Sequence, residues 1–113
     1  MKKDPYIFID HILESIQAII RYTKGIDEEN FKGSQEKQDA VIRRLEIIGE
    51  AVKHLPEDIK AAHPDIPWRE IAGTRDILIH NYFGVDLDLT WQIVINDLKG
   101  LEKKMIKLKN TKL

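Results

Sequence analysis

The chain has 113 residues, 42% of them hydrophobic and 33% charged, and at that length roughly two-thirds of the unfolded surface can be buried, which predicts one compact domain over residues 1–113. Eighteen Lys and Arg against nineteen Asp and Glu leave a formal net charge of -1, which excludes a bulk polycation that grips nucleic acid by charge alone; any such contact must be local. The absence of cysteine excludes disulfides, thiolate zinc sites and a cysteine nucleophile.

The first apolar stretch is interrupted by Asp10, His11 and Glu14 before it reaches signal-peptide or membrane-spanning length, so a cytoplasmic protein with no membrane partner is expected. From Tyr6 to about Thr23, Ile9, Ile12, Leu13, Ile16, Ile19 and Ile20 recur at three- and four-residue spacing, the pattern of an amphipathic first helix that Gly25 stops. Asp27-Glu28-Glu29 then puts acids in the first turn of a short helix ending at the Gly33-Ser34 break. A second long helix is predicted from Gln35 to Leu55, with Val41, Leu45, Ile48, Val52 and Leu55 down one face. Gly49 lies inside it at a cost of about 1 kcal/mol relative to Ala, more easily tolerated where another backbone packs closely.

Pro56 and Pro64 bracket a short helical turn containing Ile59, and Pro67 suits the first turn of a third long helix running from Trp68 to Phe83. Gly84 fits a left-handed stop after it. Asp86 and Asp88 are alternative caps for a fourth helix carrying Leu89, Ile93, Ile95, Leu98, Leu101, Met105 and Leu108, its end loaded with lysines. The whole reads as an all-α bundle of four long helices plus short helical turns, with Trp68 and Trp91 as core anchors.

The third segment holds the densest set of chemistry-bearing side chains: Arg75, Asp76, His80, Asn81 and Tyr82. On an ideal helix Arg75 and Tyr82 fall about 20° apart and Asp76 and His80 about 40° apart, whereas Arg75 and His80 are about 140° apart. One copy therefore does not bring Arg75 and His80 onto one phosphate easily, but a two-fold dimer presents the same patch twice and can line one shared cleft. The chemistry that suits the set is RNA cleavage by the neighbouring 2′-hydroxyl, with histidine moving a proton near neutral pH, guanidinium holding phosphate, and Asp76 orienting His80; it needs neither metal nor cofactor. The same residues also fit a bland arrangement: Arg75 paired with Asp76 or Glu70, His80 satisfied at an interface, Tyr82 half-buried. His11, His54 and His63 lie on different segments with no i,i+4 partner, so no metal site is expected. Lys99, Lys103 and Lys107 form an i,i+4 row that fits either an RNA-phosphate track or a solvated helix end, and the latter requires no ligand.

Gln38-Asp39-Ala40-Val41-Ile42-Arg43-Arg44-Leu45-Glu46-Ile47-Ile48-Gly49-Glu50-Ala51, Ile66-Pro67-Trp68, Arg75-Asp76-Ile77-Leu78-Ile79-His80-Asn81-Tyr82, Val85-Asp86 and Trp91 together resemble the HepT-like ribonuclease toxins of the HEPN superfamily. The resemblance covers most of the chain. It implies a HEPN-type helical bundle, a homodimer with a composite cleft, and a metal-independent endoribonuclease that is toxic to the producing cell and paired with a minimal nucleotidyltransferase antitoxin of the MntA type. On the family motif Arg75 and His80 match the catalytic pair, Asp76 the polar residue after the arginine, and Tyr82 the tyrosine that the antitoxin modifies with AMP to silence the toxin. Two competing readings stand beside it: a catalytically silent subunit that docks a nucleotidyltransferase and helps present its substrate, and a purely structural dimerisation module.

Overall fold

Apolar side chains at helical spacing need a partner surface, and the two longest apolar stripes of the chain supply it to each other. A computed structural model, which describes residues 4–78 and 84–111, packs α1 (Tyr6–Thr23) along α3 (Gln35–His54). Ile9, Ile12, Ile16 and Ile19 of α1 and Val41, Leu45, Ile48 and Val52 of α3 are buried in one continuous core. Each such side chain contributes roughly 1.5–3 kcal/mol by leaving water. Gly25, at φ 78°, follows α1 in the left-handed conformation its missing β-carbon permits.

Asp27 caps α2 (Glu28–Lys32), its carboxylate accepting from the Asn30 N–H at 2.8 Å, and Phe31 is thereby turned into the core, where its ring lies 5.3 Å from that of Trp91. Ser34 caps α3 in the same manner. The short α4 (Glu57–Ala62) buries Ile59, and its end is closed by Trp68, whose indole N–H donates to the carbonyls of Lys60 and His63, both at 3.1 Å. Trp68 and Trp91 are both core anchors, as expected.

The third long helix does not form as one piece. It is divided into α5 (Trp68–Ala72) and α6 (Thr74–Leu78) at Gly73. The Thr74 hydroxyl takes the Glu70 carbonyl at 3.0 Å, and the Asp76 N–H bonds only three residues back, to Gly73, so the regular ladder is reset at a residue with poor helix propensity. Its expected continuation to Phe83 lies outside the described residues. Gly84 has φ 85°, the left-handed value expected of it.

Of the two candidate caps for the fourth helix, Asp86 does the capping, accepting from the Leu89 N–H at 2.9 Å at the start of α7 (Leu87–Gln92). The Asp86 N–H donates to the Leu78 carbonyl at 2.7 Å, which ties the start of α7 to α6. Asp88 instead meets the Lys32 ammonium of α2. A π-helical stretch, Ile93–Asp97, joins α7 to α8 (Leu98–Asn110). Val94, Leu98, Met105 and Leu108 are buried across this wider turn, while Ile95, one of the apolar residues of the expected fourth helix, is 52% exposed. Among the described residues there is no β-strand, and no helix is long and apolar enough to cross a membrane.

Ile16→Ala should lower the free energy of unfolding by about 2–5 kcal/mol, whereas Ile95→Ala should change it by less than about 0.5 kcal/mol. Urea titrations of both variants check this contrast.

Candidate active site

A glycine in the middle of a long helix lets a second helix approach its backbone. At Gly49 an added β-carbon would lie 3.3 Å from the Ala72 carbonyl oxygen, a close approach for a β-carbon, and 3.4 Å from that of Ile71. The end of α5 is seated on α3 there, and α6 leaves Gly73 beside the polar stripe of α3 formed by Arg43, Glu46, Glu50 and Lys53. A depression of about 230 Å³ results, bounded by those four side chains together with Gly49, Ala72, Arg75 and Asp76.

Arg75 is 56% exposed and its Nε donates to Glu46 Oε2 at 2.8 Å. Its Nη1 is 3.9 Å from Asp76 Oδ1, beyond hydrogen-bond reach, and the Asp76 side chain is 84% exposed. The partner of Arg75 is thus an acid 29 residues back in the chain; Asp76 is only a distant neighbour, and Glu70 supplies its carbonyl to Thr74 and lies on the rim of a different groove. An exposed ion pair of this kind is worth roughly 0–1 kcal/mol, too little to matter much for folding. Its consequence is geometric: Nε is taken by the acid of the neighbouring helix while the arginine side chain as a whole stays more than half exposed. His80, Asn81 and Tyr82 lie outside the described residues.

Glu46 was not among the residues singled out from sequence. The signal was present in two pieces: a polar stripe at positions 43, 46, 50 and 53, and Gly49 within it marking the approach of another backbone. Only the seating of α5 joins them.

The remaining histidines divide differently from their spacing in sequence. Phe8 brings two together, stacking on His54 at 5.4 Å and meeting His11 edge-on at 6.2 Å. Among the described residues no group of three or more His, Asp or Glu side chains is placed to hold a metal ion. The lysines of α8 also separate. Lys104 donates to the Asp65 carbonyl at 3.0 Å and Lys109 pairs with Asp10 at 2.6 Å, while Lys99, Lys103 and Lys107 point to solvent. A larger groove, of about 510 Å³, is lined mainly by apolar side chains such as Leu45, Ile48, Ile71, Leu89 and Ile93 and presents no comparable set of charged groups.

The family model described as "Ribonuclease HepT-like" matches residues 12–108. A protein of Methanocaldococcus jannaschii named "Gamma-glutamylcyclotransferase and putative RNase" is 52% identical over 108 residues, 96% of this chain but 49% of that protein, so the chain spans about half the length of that relative. A Thermococcus cleftensis protein named "Probable ribonuclease HepT" is 47% identical over 109 residues, 96% of this chain and 99% of that one. No solved structure matches the chain significantly.

Gly49→Val should push α5 away from α3, since its branched side chain meets the backbone carbonyls of Ala72 and Ile71. Unfolding should become easier by about 1–3 kcal/mol. Denaturant unfolding measures the loss, and an unchanged midpoint would contradict the close approach at Gly49.

Proposed function

Since the chain belongs to the HepT-like ribonuclease family, we propose that it is the toxin of a toxin-antitoxin pair, a metal-independent endoribonuclease whose composite cleft is built by two copies of the chain. The observation that carries this reading is the exposed Arg75 side chain, held by Glu46 beside a charged depression within the family match. RNA is the substrate class.

In this mechanism Arg75 holds a non-bridging phosphate oxygen through parallel hydrogen bonds that strengthen as charge builds in the transition state. His80 moves the proton, and Asp76 orients it. The 2′-oxygen forms a bond to phosphorus as its proton leaves; the bond from phosphorus to the 5′-oxygen breaks, and that oxygen takes a proton. The products are a 2′,3′-cyclic phosphate and a 5′-hydroxyl. DNA, without the 2′-hydroxyl, is not cut by this route.

Silencing falls to Tyr82. A nucleotidyltransferase antitoxin of the MntA type transfers AMP from ATP to its hydroxyl, releasing pyrophosphate. An adenylyl group beside the cleft opposes RNA by bulk and by phosphate-phosphate repulsion.

Purified protein in EDTA should convert RNA to fragments with cyclic-phosphate ends, and His80→Ala should fold and dimerise normally yet lose at least about a hundredfold in rate, the usual share of a general acid or base. Mass spectrometry of the product ends decides it; undiminished cutting by His80→Ala sinks the assignment. Incubation with the cognate nucleotidyltransferase and ATP should add AMP mass that disappears in Tyr82→Phe, and labelling that survives this change would refute the role given to Tyr82.

A further inference from the structure

We propose that Glu46 is a positioning residue for Arg75: by holding Nε from the neighbouring helix, it aims the terminal amino groups of the guanidinium at an RNA phosphate. This rests on the ribonuclease reading above and deepens it by one residue. A guanidinium has one Nε–H and two terminal amino groups, and an anion is best held by two parallel bonds from one edge. Glu46 Oε2 accepts from Nε at 2.8 Å, and among the described residues the other acid beside the guanidinium, Asp76, keeps Oδ1 3.9 Å from Nη1, beyond hydrogen-bond reach.

The two partners differ in exposure in the direction this role requires. The Glu46 side chain is 27% exposed and the Arg75 side chain 56%, so the shielded group does the holding and the open one faces solvent. They differ in mounting too. Arg75 is the second residue of α6, directly after the break at Gly73, whereas Glu46 lies mid-way along the twenty-residue α3, whose opposite face is packed in the core. A long arginine on a short helix has several rotatable bonds to order before it binds anything. Anchoring Nε to α3 settles that orientation in advance. Glu46 is not needed elsewhere on the stripe, because Lys53 already pairs with Glu50 at 3.4 Å.

The role makes a prediction opposite in sign to simple charge counting. Removing an acid beside an anion site should tighten RNA binding if charge alone mattered; removing a positioning residue should weaken it. The probe is a short 2′-O-methyl RNA, which binds but cannot be cut, titrated against full-length protein. Glu46→Ala should weaken binding about threefold to fivefold, while Glu46→Gln, which keeps an oxygen to accept from Nε, should stay within about twofold of wild type. In the unliganded protein the Arg75 Nε–H resonance should exchange slowly with water in wild type and Glu46→Gln, and as fast as other exposed arginines in Glu46→Ala. Binding lost in Arg75→Ala but unchanged or tighter in Glu46→Ala overturns the inference alone. Binding unaffected by Arg75→Ala overturns the reading of Arg75 as the phosphate holder, and this inference with it. Neither readout requires cleavage, and Glu46→Gln and the wild-type resonance carry the test if Glu46→Ala folds poorly.

Discussion

The contact that the rest of the site depends on is the seating of α5 against the backbone of α3 at Gly49. Where any other residue would hold the helices apart by a side chain, the carbonyls of Ile71 and Ala72 come to 3.4 and 3.3 Å of where a β-carbon would stand. The helix-propensity cost of glycine, about 1 kcal/mol, is offset by what the approach permits. Because α5 ends there and Gly73 resets the chain direction, α6 sets out beside the polar stripe of α3, and Arg75 reaches Glu46.

Stability and chemistry draw on different parts of the molecule. The isoleucines of α1, the apolar stripe of α3 and the buried residues of α8 form the continuous core, and among the described residues no buried side-chain polar atom lacks a partner. The ties between distant segments are exposed: Lys32 to Asp88, Lys104 to Asp65, Lys109 to Asp10. The first of these ties bears on the titration of Lys32. Its hydrogen bond to Asp88, then that to Glu28, raises its pKa above the ordinary 10.5, so the favourable contribution is complete below that value and is lost as pH climbs through the raised one. Such ties set register between elements and add little to the folding energy.

The helices of this chain were legible because each carries its own instructions: the 3.6-residue apolar period of α1 and α3, the Asp27 cap, the left-handed Gly25 and Gly84. Two departures came from within single segments yet escaped periodicity. The expected helix from Trp68 to Phe83 contains Gly73, and with Thr74 beside it donating to the Glu70 carbonyl the ladder breaks there. In the fourth helix a π-helical turn interrupts the expected single helix and leaves Ile95 exposed. The site was legible in part: Arg75 and Asp76 stand out as a charged pair next to His80, but the acid that meets Arg75 lies 29 residues away and is one of several on its helix face. Nothing local distinguishes Glu46 from Glu50. What selects it is the translation of α6 relative to α3, and that is set by packing at Gly49.

The charge balance of the depression bears on how such a site takes up RNA. Arg43, Lys53 and Arg75 face Glu46, Glu50 and Asp76, so one copy presents no net positive charge there, in keeping with a chain whose formal charge is -1. Long-range attraction of a polyanion is therefore weak at a single depression, and recognition must come from a small number of well-aimed donors acting at contact distance. Under those terms the direction of one guanidinium matters more than the number of cations nearby. The solvent-facing lysines of α8 add diffuse positive charge without aim, and a helix C-terminus stabilises them with no ligand present. The proposed two-copy cleft would double the arginines while the acids remain paired to them or exposed, and would gain phosphate affinity through geometry where bulk charge supplies none.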